Sequence, residues 1–196
     1  EVTLTKGDNP VSGAKVLFNV AGSTYTRTTN ASGTAILPIN LKVGTYAISS
    51  SYNDVSTDNK IKVSPVVKAN NIQFTYGAGN KFTATFLDGD GSPLANTKVK
   101  FDVVGKTYTV TTNANGVASL ALGLKPGKYV IYSVHPNGYK ISNTITVKTS
   151  IASSNFQKYY GSTTKFSATF YDKSGKALAN RQVKFQAHGD TFTSTT

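Results

Sequence analysis

From residue 81 onward, apolar and polar side chains take turns at single steps. Phe82, Ala84 and Phe86 alternate with Lys81, Thr83 and Thr85, and Val99, Phe101 and Val103 alternate with Lys98, Lys100 and Asp102. Ala118, Leu120, Leu122 and Leu124 form another stripe, followed by Tyr129 with Ile131 and Ile145 with Val147. A period of two puts one set of side chains on a buried face and the other in water, the signature of half-buried strands. Turn-forming runs separate the stripes: Asp88-Gly-Asp-Gly, Asn113-Ala-Asn-Gly, Pro126-Gly and Pro136-Asn-Gly. No segment sustains a 3.6-residue period. The pattern predicts an all-β chain with about seven strands between turns, the profile of an immunoglobulin-like Greek-key β-sandwich.

The same pattern recurs. KVLFNVAGSTYTRTTNASG at 15–33 matches KVKFDVVGKTYTVTTNANG at 98–116, and QVKFQAHGDTFTSTT at 182–196 matches both. Tyr25, Tyr108 and Phe192 fall at spacings of 83 and 84 residues. Upstream, GSPLANTKV at 91–99 matches GKALANRQV at 175–183, with a looser NPVSGAKV at 9–16. Downstream, LKVGTYAI at 41–48 matches LKPGKYVI at 124–131. Three blocks in one order predict a tandem array: a repeat over 1–65 without its opening strand, a complete repeat over 66–149, and a third over 150–196 that stops before its second half. A unit of about 84 residues suits an autonomous small domain.

Leu41-Lys-Val-Gly-Thr-Tyr46 and Leu124-Lys-Pro-Gly-Lys-Tyr129 share the form Leu-x-x-Gly-x-Tyr. This predicts a tyrosine corner, in which the hydroxyl of Tyr46 or Tyr129 bonds back to nearby backbone; the plainer reading is two core tyrosines after a turn.

Composition narrows the chemistry. There is no cysteine, so neither a disulfide framework nor thiolate metal sites and nucleophiles enter. No apolar run reaches the ~20 residues that span a bilayer. The chain has no Met and no signal-peptide pattern, so a processed product or an excised piece is expected. The formal net charge of +12 is spread evenly: 6 basic and 4 acidic residues in 1–65, 9 and 3 in 66–149, 6 and 2 in 150–196. Such a field serves solubility and would favour polyanions such as acidic wall polymers, glycans or nucleic acid, with nucleic acid the least expected partner.

The order G-x-x-L-A-N-x-x-V-x-F, G-x-T-Y-T-x-T-T-N-x-x-G, L-x-x-G-x-Y resembles the tandem bacterial and archaeal Ig-like repeats of large cell-surface adhesins. It is most similar in pattern to the adhesin-like proteins of methanogenic archaea. The resemblance covers nearly the whole chain. It implies an extracellular, wall- or surface-attached protein that spaces or mediates adhesion, with neighbouring repeats of the same or an adjacent chain as partners. It also implies a candidate lysine–asparagine cross-link between first and last strands, with Lys158 as the amine and Asn143 or Asn59 as the amide. The middle repeat carries Phe74 where Lys158 aligns.

Other constellations are weak. His135 and His188 fall at non-equivalent points of the repeat and are expected on the surface or in loops. Asp88-Gly-Asp90-Gly91 has calcium-loop residue types, but the other repeats carry Lys6-Gly-Asp-Asn and Asp172-Lys-Ser-Gly there, so a hairpin turn is expected. Asn30-Ala-Ser32 is an N-glycosylation sequon on a predicted turn. No convergent acid, base and nucleophile recur, so no cofactor, metal or enzymatic activity is expected. Three roles remain: a stalk, a glycan- or polymer-binding module, and a filament subunit whose incomplete repeats exchange strands.

Overall fold

A computed structural model describes residues 1–196. The chain is all-β, with an Ig-like β-sandwich architecture, as the alternation predicts. It divides into two compact units, Glu1–Pro65 and Val66–Thr196.

The first unit contains β1 (Val2–Thr3), β2 (Thr5–Lys6), β3 (Asn9–Pro10), β4 (Lys15–Val20), β5 (Ser23–Thr28), β6 (Thr34–Ala35), β7 (Gly44–Tyr52) and β8 (Val55–Val63). An antiparallel sheet of order β5-β4-β7-β8 carries most of it, with β1 paired to β6. The burial of β4 alternates strictly, placing Val16, Phe18 and Val20 in a core with Ala35, Leu37 and Ile48.

The second unit contains β9 (Val67–Ala69), β10 (Ile72–Thr75), β11 (Lys81–Phe86), β12 (Lys98–Val103), β13 (Lys106–Thr111), β14 (Val117–Ala121), β15 (Gly127–Val134) and β16 (Lys140–Lys148). They form a five-stranded sheet of order β10-β16-β15-β12-β13 and a three-stranded sheet of order β14-β11-β9. The opening strand is split between them: β9 pairs antiparallel with β11, whereas β10 pairs parallel with β16. Asn71, at the step between the halves, accepts the Thr144 amide at 2.8 Å and so holds the second half against β16. The core lies between the sheets. Phe82 and Phe86 meet Phe101 edge-on at centroid distances of 5.6 and 6.1 Å, and all three are fully buried with Ile131 and Ile145. Burying each large side chain contributes roughly 1.5–3 kcal/mol.

Residues 150–196 add β17 (Ile151–Ser153), β18 (Ala168–Phe170), β19 (Gln182–Ala187) and β20 (Asp190–Thr195), paired as two hairpin-like units. Phe156, Phe166, Phe185 and Phe170 follow one another edge-to-face at 5.9–6.1 Å. Phe166 is 46% exposed, whereas its counterpart Phe82 is fully buried.

Local chemistry explains why the turns recur. Asn113 accepts the amides of Asn115 and Val117, each at 3.0 Å, and Asn30 accepts those of Ser32 and Thr34. These Asx turns deliver Gly116 and Gly33 to a close backbone crossing. A Cβ on Gly116, at φ +70, would collide with the Phe86 carbonyl. The buried hydroxyls of Thr29 and Thr112 tie each β4–β5 or β12–β13 hairpin to the preceding loop: Thr112 donates to the Leu94 carbonyl and accepts the Thr97 amide. The hairpins close through two-residue loops with positive φ at both positions: Ala21-Gly22 (50°, 76°), Val104-Gly105 (51°, 68°) and His188-Gly189 (52°, 88°). This is the twist-matched type I′ geometry.

Candidate functional site

At the start of β15 the chain folds back on itself. The Tyr129 hydroxyl donates to the Lys125 carbonyl at 3.0 Å, and the Tyr46 hydroxyl, at the start of β7, donates to the Lys42 carbonyl at 2.9 Å. Both rings lie over a glycine: a Cβ on Gly127 would sit 3.2 Å from the Tyr129 hydroxyl oxygen, and Gly44 has the same relation to Tyr46. The corner is thus a joint product of the tyrosine and the residue two positions before it.

Asn143 lies on β16 facing inward. Its amide nitrogen donates to the Ala69 carbonyl at 3.2 Å and approaches the Asn71 side chain at 3.4 Å, while its oxygen is buried without a partner. No lysine is among its partners. Phe74, the counterpart of Lys158, pairs with Val147, four residues from Asn143, so that register faces an aliphatic side chain. Lys158 itself is exposed on an irregular segment, and Asn59 is exposed on β8. Asn30 is exposed, with its side-chain oxygen engaged in the Asx turn.

Asp88 accepts the amides of Asp90 and Ser92, and Asp90 accepts that of Ser92 at 2.9 Å. The Ser92 hydroxyl and amide hold the Asp90 carboxyl below the usual aspartate range. Both carboxylates therefore cap a turn, and no group of three metal-ligating side chains gathers anywhere in the chain.

His188 is exposed, and His135 lies in a loop, as expected, but is buried there. It is 7% exposed and stacked near Phe86, with Nε2 at 2.9 Å from the Leu87 carbonyl and Nδ1 accepting the Asn137 amide. These partners assign the proton to Nε2 and make the ring a strut between the β15–β16 turn and the end of β11. Nothing in the local sequence signals a bond to a residue 48 positions away.

The exposed surface of the five-stranded sheet follows from strand parity. Tyr132 and Val130 point outward from β15, at 41% and 51% exposure, and the Lys140 ammonium lies 5.4 Å from the Tyr132 ring centroid. Parity along β15 is the signal: Tyr129 and Ile131 face the core, so Val130 and Tyr132 cannot.

No family model matches the chain. Among curated proteins, the inverse autotransporter adhesin YeeJ of Escherichia coli strain K12 is 30% identical over 149 residues, 65% of this chain and 6% of that protein. The chain thus spans a small fraction of the relative it matches. Among solved structures, invasin, a bacterial integrin-binding protein, is 15% identical over 97% of this chain and 49% of its own, at a TM-score of 0.35. Fibronectin(III)-like modules of Clostridium thermocellum CbhA are 20% identical over 74% of this chain and 83% of theirs, at a TM-score of 0.32.

Proposed function

We propose that the chain is an extracellular structural and adhesive segment, displayed at a cell surface or wall, whose Ig-like repeats form a stalk that supports attachment. The reading takes the chain as successive repeats over 1–65, 66–149 and 150–196, of the kind found in large bacterial and archaeal surface adhesins. The observation that carries it is the reuse of one framework: Asn30 and Asn113, Thr29 and Thr112, and Tyr46 and Tyr129 make the same bonds in successive copies. Side chains with bonding potential serve turns and corners, as a spacer requires, and the reading is non-enzymatic. Similarity to an adhesin over 149 residues supports it. Its partners are neighbouring repeats of the same or an adjacent chain, with surface glycans or acidic wall polymers as ligands and Asn30 as a glycan acceptor.

A second reading, a strand-exchanging filament subunit, draws on the exposed aromatic side chains of residues 150–196, including Tyr159 at 80% and Phe166 at 46%. Strand exchange would add a strand of a neighbouring chain to a sheet edge. Light scattering across a concentration series separates the two. A constant mass near 20.8 kDa supports the stalk and refutes strand exchange. Open-ended, concentration-dependent growth does the reverse.

A further inference from the structure

The register of the five-stranded sheet sorts its outer side chains into rows. Lys100 of β12 pairs with Val134 of β15, which pairs with Lys140 of β16. In the next row Asp102 pairs with Tyr132, which pairs with Ser142. Tyr132 therefore has Lys100 and Lys140 as its diagonal neighbours, about 7–8 Å away on either side. Lys98, Lys128 and Lys148 share this face, against the one carboxylate of Asp102, which the Thr107 hydroxyl engages at 2.6 Å. Along its edge β13 presents Thr107, Thr109 and Thr111. The result is a flat, exposed aromatic and aliphatic strip, Tyr132 and Val130, set among cations and hydroxyls.

The fold does not require this surface. In the first unit the aligned positions hold Ser49 for Tyr132, Ala47 for Val130 and Leu17 for Lys100, and β4, β7 and β8 pair there in the same manner. An exposed aromatic ring costs solvation without adding core, so its placement beside lysines points outward, to a ligand. The complementary ligand presents an apolar ring face to Tyr132 and anionic groups to the flanking ammoniums. A sugar ring bearing a carboxylate has both. A nucleic acid strand calls for several stacking platforms along a groove and commonly for arginine; this face has one aromatic ring, no arginine and no groove.

We propose that the outer face of the five-stranded sheet in residues 66–149 binds an acidic polysaccharide, with a uronate ring on Tyr132 and its carboxylates, and those of its neighbours, met by Lys100, Lys140 and Lys128. This rests on the adhesive reading above and gives it a ligand class and an address. Lys140 already hovers over the ring and has a flexible stem, so it swings to the edge of a seated sugar without backbone movement.

The test uses the full chain, dilute and monomeric, with polygalacturonate as probe and dextran as the neutral control, by affinity electrophoresis and calorimetry. Binding of polygalacturonate but not dextran is expected, weakening as salt rises. Tyr132→Ser and Lys100→Leu install side chains the first unit already tolerates, and each is expected to weaken binding about tenfold. Tyr132→Phe is expected to bind nearly as the parent does. No polygalacturonate binding at low salt overturns the proposal, as does binding that Tyr132→Ser leaves unchanged, which marks diffuse charge attraction. Single-stranded DNA bound more tightly than polygalacturonate, and lost with the same substitutions, overturns it in favour of nucleic acid. A monomer that binds no polyuronate refutes this face alone, whereas self-assembly refutes the stalk alone.

Discussion

Val104 occupies the first central position of the β12–β13 loop at φ 51° and is 59% exposed. Positive φ forces a Cβ against its own carbonyl, at a cost of roughly 1–2 kcal/mol for an ordinary residue, and β-branching makes valine among the worst tolerated there. The hairpin register, with Val103 opposite Lys106, leaves two residues to make the turn, so the strain has no other place to go. Asparagine is the favoured residue at this position of a type I′ turn, and Val104 makes no core contact that its loss would forfeit. Val104→Asn should therefore stabilise the second unit by about 1 kcal/mol, a factor of about five in its folded-to-unfolded ratio. Hydrogen exchange on the full chain reads this by region. Amides of β12, β15 and β16 that exchange through unfolding of this unit should slow about fivefold. Amides of β7 and β8 in the first unit should not change, and they serve as the internal control. Ala21→Asn, at the matching turn, should give a smaller gain confined to the first unit, because alanine is less crowded at positive φ. Faster or unchanged exchange in Val104→Asn would refute the assignment of strain to this turn.

Tyr129→Phe removes the bond to the Lys125 carbonyl, which water can reach, so a loss of about 1 kcal/mol is expected in the same exchange assay. Gly127→Ala presses on the ring, and the two substitutions together should cost less than their sum. Ser133 is fully buried and its hydroxyl has no partner, so Ser133→Ala should leave stability equal or raise it by about 1 kcal/mol; a clear loss in urea unfolding would contradict the burial. Gly116→Ala should destabilise the second unit by more than about 2 kcal/mol, read as collapse of exchange protection in β11 and β14. The Ser174 hydroxyl, then the Lys176 amide, lower the Asp172 pKa below the ordinary 3.8. Its contribution is accordingly present above that value, absent below the folded pKa, and flat through neutral pH. A carboxyl carbon titration with its midpoint at or above 3.8 would overturn this.

How far the alternation carries can be judged from individual strands. β11 and β12 are visible in the sequence because each buries every second residue over six positions, and a one-residue slip would expose Phe82 or Phe101. The Leu-x-x-Gly-x-Tyr spacing is visible for a similar reason, since its consequences stay within five residues. The split of the opening strand is not visible. β9 and β10 are three and four residues long, and their sheet membership depends on β11 and β16, which are distant in sequence. Val104-Gly105 escapes notice because valine is a strand former whose placement at positive φ is imposed by the pairing on both sides. His135 escapes because its partner carbonyl arrives from β11's end. The platform around Tyr132 emerges only when the rows of three strands are set side by side. The alternation already puts Lys98 and Lys100 on the solvated face of one strand, and the register adds Lys128, Lys140 and Lys148 to it.

The parallel pairing of β10 with β16 has a mechanical consequence. These strands lie near the two ends of residues 66–149. Tension applied along the chain therefore pulls them in opposite directions along their length. The bonds from Ile72↔Ile145 through Thr75↔Lys148 are then loaded in shear, all together, and not peeled one at a time. The short β9–β11 ladder sits upstream of this clamp and yields first, releasing a little slack while the main sheet stays closed. Pulled from its ends, such a strand arrangement is expected to respond in two stages, a small give followed by a stiff stop.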